Sequence, residues 1–265
     1  MCGQVPKILK LELTNACGLN CVFCGHAEQV RPVQSMAAVN AMGIMAEARD
    51  WGLVEVQPQF YGEPWLYRNL NEIVMYAHSL DFNVQYYTSA QCPPPEPFVY
   101  PDRLVFSVDY HTQELADKIR PGIEFGAVFR RITDLNGLPH PGCEIVIRCT
   151  ECEENRGEIA DIEDFWGPYC DNFVVVPETP VYRHFKTETP NADYDCRLPR
   201  EQVVVLSDYR VTLCCNDWHG KYAAGDAREG LQKAYSHARL EGYRYAVYQK
   251  QWLNLCNKCG LRIRK

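Results

Sequence analysis

The residues best able to do chemistry here are cysteines, of which the 265-residue chain holds fourteen. CGLNCVFC places Cys17, Cys21 and Cys24 at CxxxCxxC spacing. Three thiolates so arranged can hold three irons of a [4Fe–4S] cube and leave the fourth without a protein ligand. An open metal position is where a small molecule can react, whereas a closed one is structural or passes electrons. A zinc knuckle completed by His26 is the competing reading of the same residues. A second group, Cys196, Cys214, Cys215, Cys256 and Cys259, lies towards the carboxyl end.

The elements that must position these residues alternate between strand-like and helix-like segments. Ile8 to Leu13 reads as a strand that delivers the chain to the first cysteines. Ser35 stands as the cap of a helix with Met36, Val39, Met42, Met45 and Ala48 on one face and Gly52 as its stop. Strands follow at Leu53 to Val56, Phe82 to Tyr87, Leu104 to Val108, Glu144 to Arg148 and Phe173 to Val176. Helical stripes fall between them, at Leu66 to Leu80 and at Phe125 to Leu135, the latter closed by Asn136-Gly137. Six strands alternating with helices imply a parallel sheet with helices outside, and chemistry at the strands' carboxyl ends. Pro177 to Pro199 is proline-rich and aperiodic, so residues 178–195 are expected to link residues 1–177 to a small unit at 196–265. That unit reads as a hairpin, Gln202 to Leu206 with Val211 to Cys215, then one helix from about Glu229 to Tyr243. It is too small for an ample core of its own, so a metal staple makes physical sense.

The cysteine triad, with aromatic Phe23 before its last member, resembles the signature of the radical S-adenosylmethionine (SAM) superfamily. FYGEPW after the second strand resembles that superfamily's GGEP segment: Tyr61 replaces the first glycine, and Gly62, Glu63 and Pro64 stand as expected. The resemblance implies a partial (β/α)6 barrel, a [4Fe–4S] cluster on Cys17, Cys21 and Cys24, and SAM contacts from Gly62, Glu63 and Pro64. There a glycine allows close backbone approach and a carboxylate faces an ammonium. Ser107 in FSVD and Arg148 are the further SAM contacts it implies, and Thr88-Ser89-Ala90 stands where many relatives have Thr-Asn-Gly.

CRLPREQVVVLSDYRVTLCCND resembles the start of the SPASM/Twitch extension, whose hairpin is completed by the terminal CNKC. The resemblance implies an auxiliary [4Fe–4S] cluster on Cys196, Cys214, Cys256 and Cys259, with Cys215 the rival of Cys214. A four-cysteine zinc site would suit the same spacing. No cysteine follows Cys259, so the shorter Twitch form with one cluster is expected. Length and cluster spacing are similar to the 2-deoxy-scyllo-inosamine dehydrogenase type. The expected activity is therefore generation of a 5′-deoxyadenosyl radical and oxidation of a polar small molecule, a sugar or aminocyclitol, with the auxiliary cluster accepting an electron. A flavodoxin- or ferredoxin-type donor would supply the reducing electron. Ribosomal-peptide modification (thioether formation or epimerisation) and radical modification of a nucleoside or base are the alternatives.

Formal net charge is −7, which disfavours a long nucleic acid as partner. The N-terminal residues lack an apolar run long enough for a secretory signal or membrane span. Abundant cysteine without such a signal points to a reducing, cytoplasmic setting. Cys149 and Cys152 form another CxxC, read as buried apolar residues, as are Cys2, Cys92, Cys143 and Cys170. Glu12, Asp109 and Glu151 are the carboxylates expected to face substrate and accept a proton. His26, His111, His184 and His219 have no partner visible in sequence.

Overall fold

The computed structural model describes residues 5–178, 194–257, 259 and 263–264. Most of the expected linker, with Cys2 and His184, lies outside the described residues. In chain order the elements are β1 (Ile8–Leu11), α1 (Ala38–Trp51), β2 (Glu55–Gln57), α2 (Leu70–Ser79), β3 (Asn83–Thr88) and β4 (Arg103–Ser107). They continue with α3 (Gln113–Ile119), α4 (Phe125–Asn136), β5 (Glu144–Glu151), α5 (Ile159–Trp166) and β6 (Asn172–Pro177). After the undescribed stretch come β7 (Tyr194–Asp195), α6 (Leu198–Glu201), β8 (Gln202–Val205), β9 (Arg210–Thr212) and β10 (Ala224–Asp226). Last are α7 (Leu231–Tyr235), α8 (Ala238–Tyr248), α9 (Asn254–Asn257) and β11 (Ile263–Arg264).

One nine-stranded sheet runs in the order β10-β9-β8-β1-β2-β3-β4-β5-β6. Strands β1 to β6 are all parallel, as the strand–helix alternation predicts. Alternate residues point outward into an apolar layer: Leu9, Leu11, Val84, Tyr86, Leu104, Phe106, Ile145 and Ile147 are fully buried beneath the helices. The opposite face is mostly polar, with Tyr87, Val105 and Val146 as an apolar rung. Lys10 and Gln57 share a rung, as do Gln85 and Arg103, and Ser107 and Arg148. Six parallel strands thus put a dry wall behind and a hydrophilic surface in front, the arrangement that suits an enzyme cavity at the strand ends.

The helices differ from expectation in instructive ways. Ser35 does not cap α1: its hydroxyl donates to Thr14 Oγ1 at 2.9 Å, drawn there by a bridge between Thr14 and Ser35. The buried face of α1 is Ala41, Ile44, Met45 and Ala48, while Val39 is 74% exposed. Gly52 does end the helix, in the left-handed region at φ 101°. Leu66 belongs to a separate 3-10 turn at Pro64–Leu66, ahead of α2. The single helix expected from Glu229 to Tyr243 is broken, because His237 caps α8 by accepting from the Arg239 amide at 3.2 Å.

The carboxyl-terminal hairpin is continuous with the barrel sheet. β8 lies parallel to β1 with Leu9 opposite Val203 and Leu11 opposite Val205, and β9 pairs antiparallel on its far side. All four residues of β8 are buried, as a strand flanked on both edges requires.

Candidate active site

The chain leaving β1 turns through Cys17, Cys21 and Cys24, which line one cavity of about 400 Å³. Opposite them the wall comprises Tyr61, Gly62 and Glu63, then strand-end residues Tyr87, Ser89, Ser107, Arg148 and Thr150. Five expected SAM-contact residues are thereby placed: Gly62, Glu63, Ser107 and Arg148 in the wall, and buried Pro64 just behind it in the 3-10 turn.

Local packing explains the Gly-Glu pair. A Cβ on Gly62 would stand 2.1 Å from the Thr14 carbonyl oxygen and 2.9 Å from that of Ala16. The Glu63 amide donates to the Ala16 carbonyl at 2.8 Å. Only glycine lets this turn lie flat against the backbone that leads into Cys17. The Glu63 carboxylate is not open. It accepts from Thr88 Oγ1 at 2.6 Å, Ser89 Oγ at 2.6 Å, the Ser89 amide at 2.9 Å and the Trp65 amide at 3.3 Å. The Thr-Ser-Ala turn therefore works by fixing that carboxylate. Ala90 sits at φ 54°, in the left-handed region that favours glycine, matching the position where the resemblance expected Gly.

Burial pushes the Cys17 and Cys21 thiols above their ordinary value and Cys24 up to about 12. Thiolate, the ligating form, thus comes with the metal that displaces the proton. His26 does not complete a zinc set: its Nε2 lies 2.9 Å from the Asn15 carbonyl oxygen. Among the described residues no three His, Cys, Asp or Glu side chains close on a single ion position. Three half-buried thiols against an open cavity fit the cluster that the motif implies.

Two of the expected proton acceptors are otherwise engaged. Glu12 is fully buried and receives Arg31 through two bonds of 2.7 Å, plus the Ser207 amide at 2.9 Å. Asp109 is fully buried and paired with Arg120 at 2.7 and 2.5 Å, while its other oxygen accepts the Thr150 amide at 2.5 Å. Neither can take a proton without breaking a buried ion pair. Glu151 pairs with the exposed Arg156 at 3.2 Å. Arg120 was not legible in sequence. It reaches Cys21 Sγ at 3.4 Å and lies over the Phe23 ring at 5.3 Å.

The second cysteine group closes over this cavity. Cys196 is pushed up to about 12 by burial and then by Cys259, Cys256 and Cys215. Cys214 is raised by burial, then by Cys215, Cys259 and Cys256. The four expected ligands and their rival Cys215 therefore lie in one neighbourhood. Cys215 stands beside them and also lines the first cavity with Asn216. Asp217 shapes that loop by accepting from Thr212 Oγ1 and from the Lys221 and Tyr222 amides. Asn216 Nδ2 donates to Cys259 Sγ at 3.0 Å. Trp218 stacks on Tyr61, with centroids 5.6 Å apart, and covers Gly25, where a Cβ would meet its ring at 2.5 Å. Arg31 ties the assembly by donating to the Trp218 carbonyl at 2.8 Å. The other CxxC pair, Cys149 within β5 and Cys152 just after it, is fully buried.

The fold is a parallel α/β sheet of the partial-barrel kind with a cysteine-bearing carboxyl-terminal cap, the architecture that the resemblance to radical SAM enzymes with a SPASM/Twitch extension implies. Residues 196–260 match the family model of SPASM, an iron-sulfur cluster-binding domain. Among solved structures, Streptococcus suis SuiB bound to precursor peptide SuiA is similar over 91% of this chain and 67% of its own, with TM-score 0.74 and 16% identity. BtrN in complex with AdoMet (SAM) and 2-DOIA is similar over 98% and 94%, with TM-score 0.61 and 15% identity. The sulfatase-maturase structure anSMEcpe with bound AdoMet is similar over 96% and 84%, with TM-score 0.67 and 11% identity. No curated protein sequence matches the chain. The matched family binds iron–sulfur clusters, and both BtrN and anSMEcpe hold AdoMet in those structures. Among the described residues, no helix is long and apolar enough to cross a membrane.

Proposed function

We propose that this chain is an oxidising radical SAM enzyme acting on a polar, hydroxyl-bearing small molecule. Cys17, Cys21 and Cys24 hold the SAM-binding cluster, and Cys196, Cys214, Cys256 and Cys259 hold the auxiliary one. When bound, cluster and SAM supply a 5′-deoxyadenosyl radical that removes hydrogen from a substrate C–H. One observation carries the reading: the cavity beside the three cysteines has Cys215 and Asn216 in its wall, so both sites flank one reaction space. An electron leaving the substrate has a short route to the second set through the Asn216–Cys259 contact.

The chain's own residues supply binding and exclusion. Gly62 admits close backbone approach, and Glu63, held by four donors, presents a fixed carboxylate edge. Arg148, stacked 5.6 Å over Tyr87, and Ser107 offer donors on the polar floor. Trp218 and Tyr61 shield the cysteine loop from water. Glu63 is the one carboxylate among the described lining residues, beside the cations Lys10, Arg120 and Arg148. That wall suits hydroxyls or an acid group better than the ammonium of an aminocyclitol, so a sugar is favoured over an aminocyclitol. The reducing electron would come from a flavodoxin- or ferredoxin-type partner in a reducing, cytoplasmic setting.

The test is anaerobic reconstitution, followed by iron counting and incubation with SAM, dithionite and candidate sugars. About eight irons per chain, 5′-deoxyadenosine matched to product, and a product lighter by two hydrogens support the reading. A product of unchanged mass would replace oxidation by epimerisation, and turnover of a precursor peptide alone would replace the small molecule.

A further inference from the structure

The Arg120–Asp109 pair sits where it can act on one cysteine of the triad. Arg120 follows α3, is 5% exposed, and is held from three sides: by Asp109, by the Phe23 ring, and by Cys21 Sγ at 3.4 Å. Asp109 is fully buried and is itself fixed by the Thr150 amide, while Asn155 holds its backbone carbonyl at 3.0 Å. A guanidinium spreads its donors in a rigid plane, so one edge can serve the carboxylate and the other the sulfur. Asp109 therefore aims Arg120, and it also offsets part of its charge. Cys17 receives instead the neutral amide of Gln91, at 3.5 Å.

We propose that Arg120 is a positioning residue that raises the reduction potential of the SAM-binding cluster through its charged hydrogen bond to Cys21, with Asp109 as its counterweight. Reduction adds an electron to the cluster, and hydrogen bonds to cluster sulfurs together with nearby positive charge favour the more negative state. In a site with little water such a charge acts strongly. The inference rests on the cluster assignment proposed above.

Two substitutions should move the potential in opposite directions. Arg120→Met removes the cation and the N–H···S bond and should shift the first cluster to lower potential. Asp109→Asn keeps the acceptor for Thr150 and frees the full charge of Arg120, which should shift it to higher potential. Arg120→Lys keeps the charge but cannot span both partners, and should fall between wild type and Arg120→Met. The readout is an EPR-monitored redox titration of the reconstituted holoenzyme, following the signal that changes on adding SAM. The auxiliary cluster's potential and the iron content per chain are measured alongside. Opposite shifts confined to the SAM-responsive signal support the proposal. Shifts of the same sign, no shift, or an equal shift of both clusters overturns it. If Arg120→Met fails to fold, Asp109→Asn and Arg120→Lys decide the matter, and an unshifted Asp109→Asn is sufficient to reject. A wild-type cluster that ignores SAM would instead defeat the cluster assignment.

Discussion

Replacing Glu12 by Gln separates two roles for one carboxylate. Glu12 lies on the polar face of the sheet just beyond β1, where sequence alone makes it a candidate proton acceptor. The structure makes it a clamp: its side chain is fully buried and that of Arg31 is 5% exposed, joined by two bonds of 2.7 Å. Arg31 also grips the Trp218 carbonyl, and Glu12 accepts the Ser207 amide. The pair therefore staples β1, the loop after the first cysteines, and the turn and loop that flank β9. Breaking a buried ion pair from one side costs about 3–5 kcal/mol, because the remaining charge is stranded. Gln keeps an acceptor for Ser207, so the loss should fall near the lower end, about 3 kcal/mol. For a chain of this size that lowers the unfolding midpoint by roughly 6–12 °C. Circular dichroism at a fixed scan rate on anaerobic holoenzyme measures it. A loss below about 1 kcal/mol, with SAM cleavage intact and substrate oxidation abolished, would refute the clamp and restore Glu12 as the proton acceptor.

Three further outcomes are expected. Cys214→Ser should leave about four irons per chain where Cys215→Ser keeps about eight, because Cys214 is buried beside the second cysteine set while Cys215 also lines the cavity; equal losses on iron assay would reverse that assignment. Gly62→Ala puts a Cβ 2.1 Å from a backbone oxygen. The turn must then part from the cysteine loop by about 1 Å, and 5′-deoxyadenosine formation should fall on the order of 100-fold; a rate within threefold of wild type would contradict the close-approach argument. Burial pushes Cys143 up to about 11 and Cys152 to about 12, and raises Cys149 as well. A raised thiol stays protonated until pH approaches that value, so at pH 8 roughly one Cys143 in a thousand is thiolate. Iodoacetamide at pH 8 should leave all three unmodified in native holoenzyme, and mass spectrometry finding Cys149 or Cys152 alkylated would reopen a reactive or ligating role for that CxxC.

What was legible in the sequence is what is local. The strand before CxxxCxxC, the Gly-Glu-Pro turn after the next strand and the Gly52 helix stop are each contained in a few residues, and each stands where expected. What was not legible depends on partners far apart in the chain. QVVV carries a signal, an unbroken apolar run that suits a strand buried on both edges, yet nothing local says that its neighbour is β1, almost two hundred residues earlier. Arg31 and Arg120 have no spacing signature, since a guanidinium finds its carboxylate only when the fold brings them together. The same two arginines explain why the acidic candidates failed. Glu12 and Asp109 look available as letters, but each is neutralised in a dry interior, and Glu63 is tied down by four donors. With those three committed, no lining carboxylate among the described residues is free to take a proton released in the proposed oxidation, so that proton leaves to solvent. Cys215 and Asn216 line that same cavity, and Asn216 touches Cys259. In the proposed reaction the electron would leave through that short loop, which is a physical reason for the loop to reach into the barrel at all.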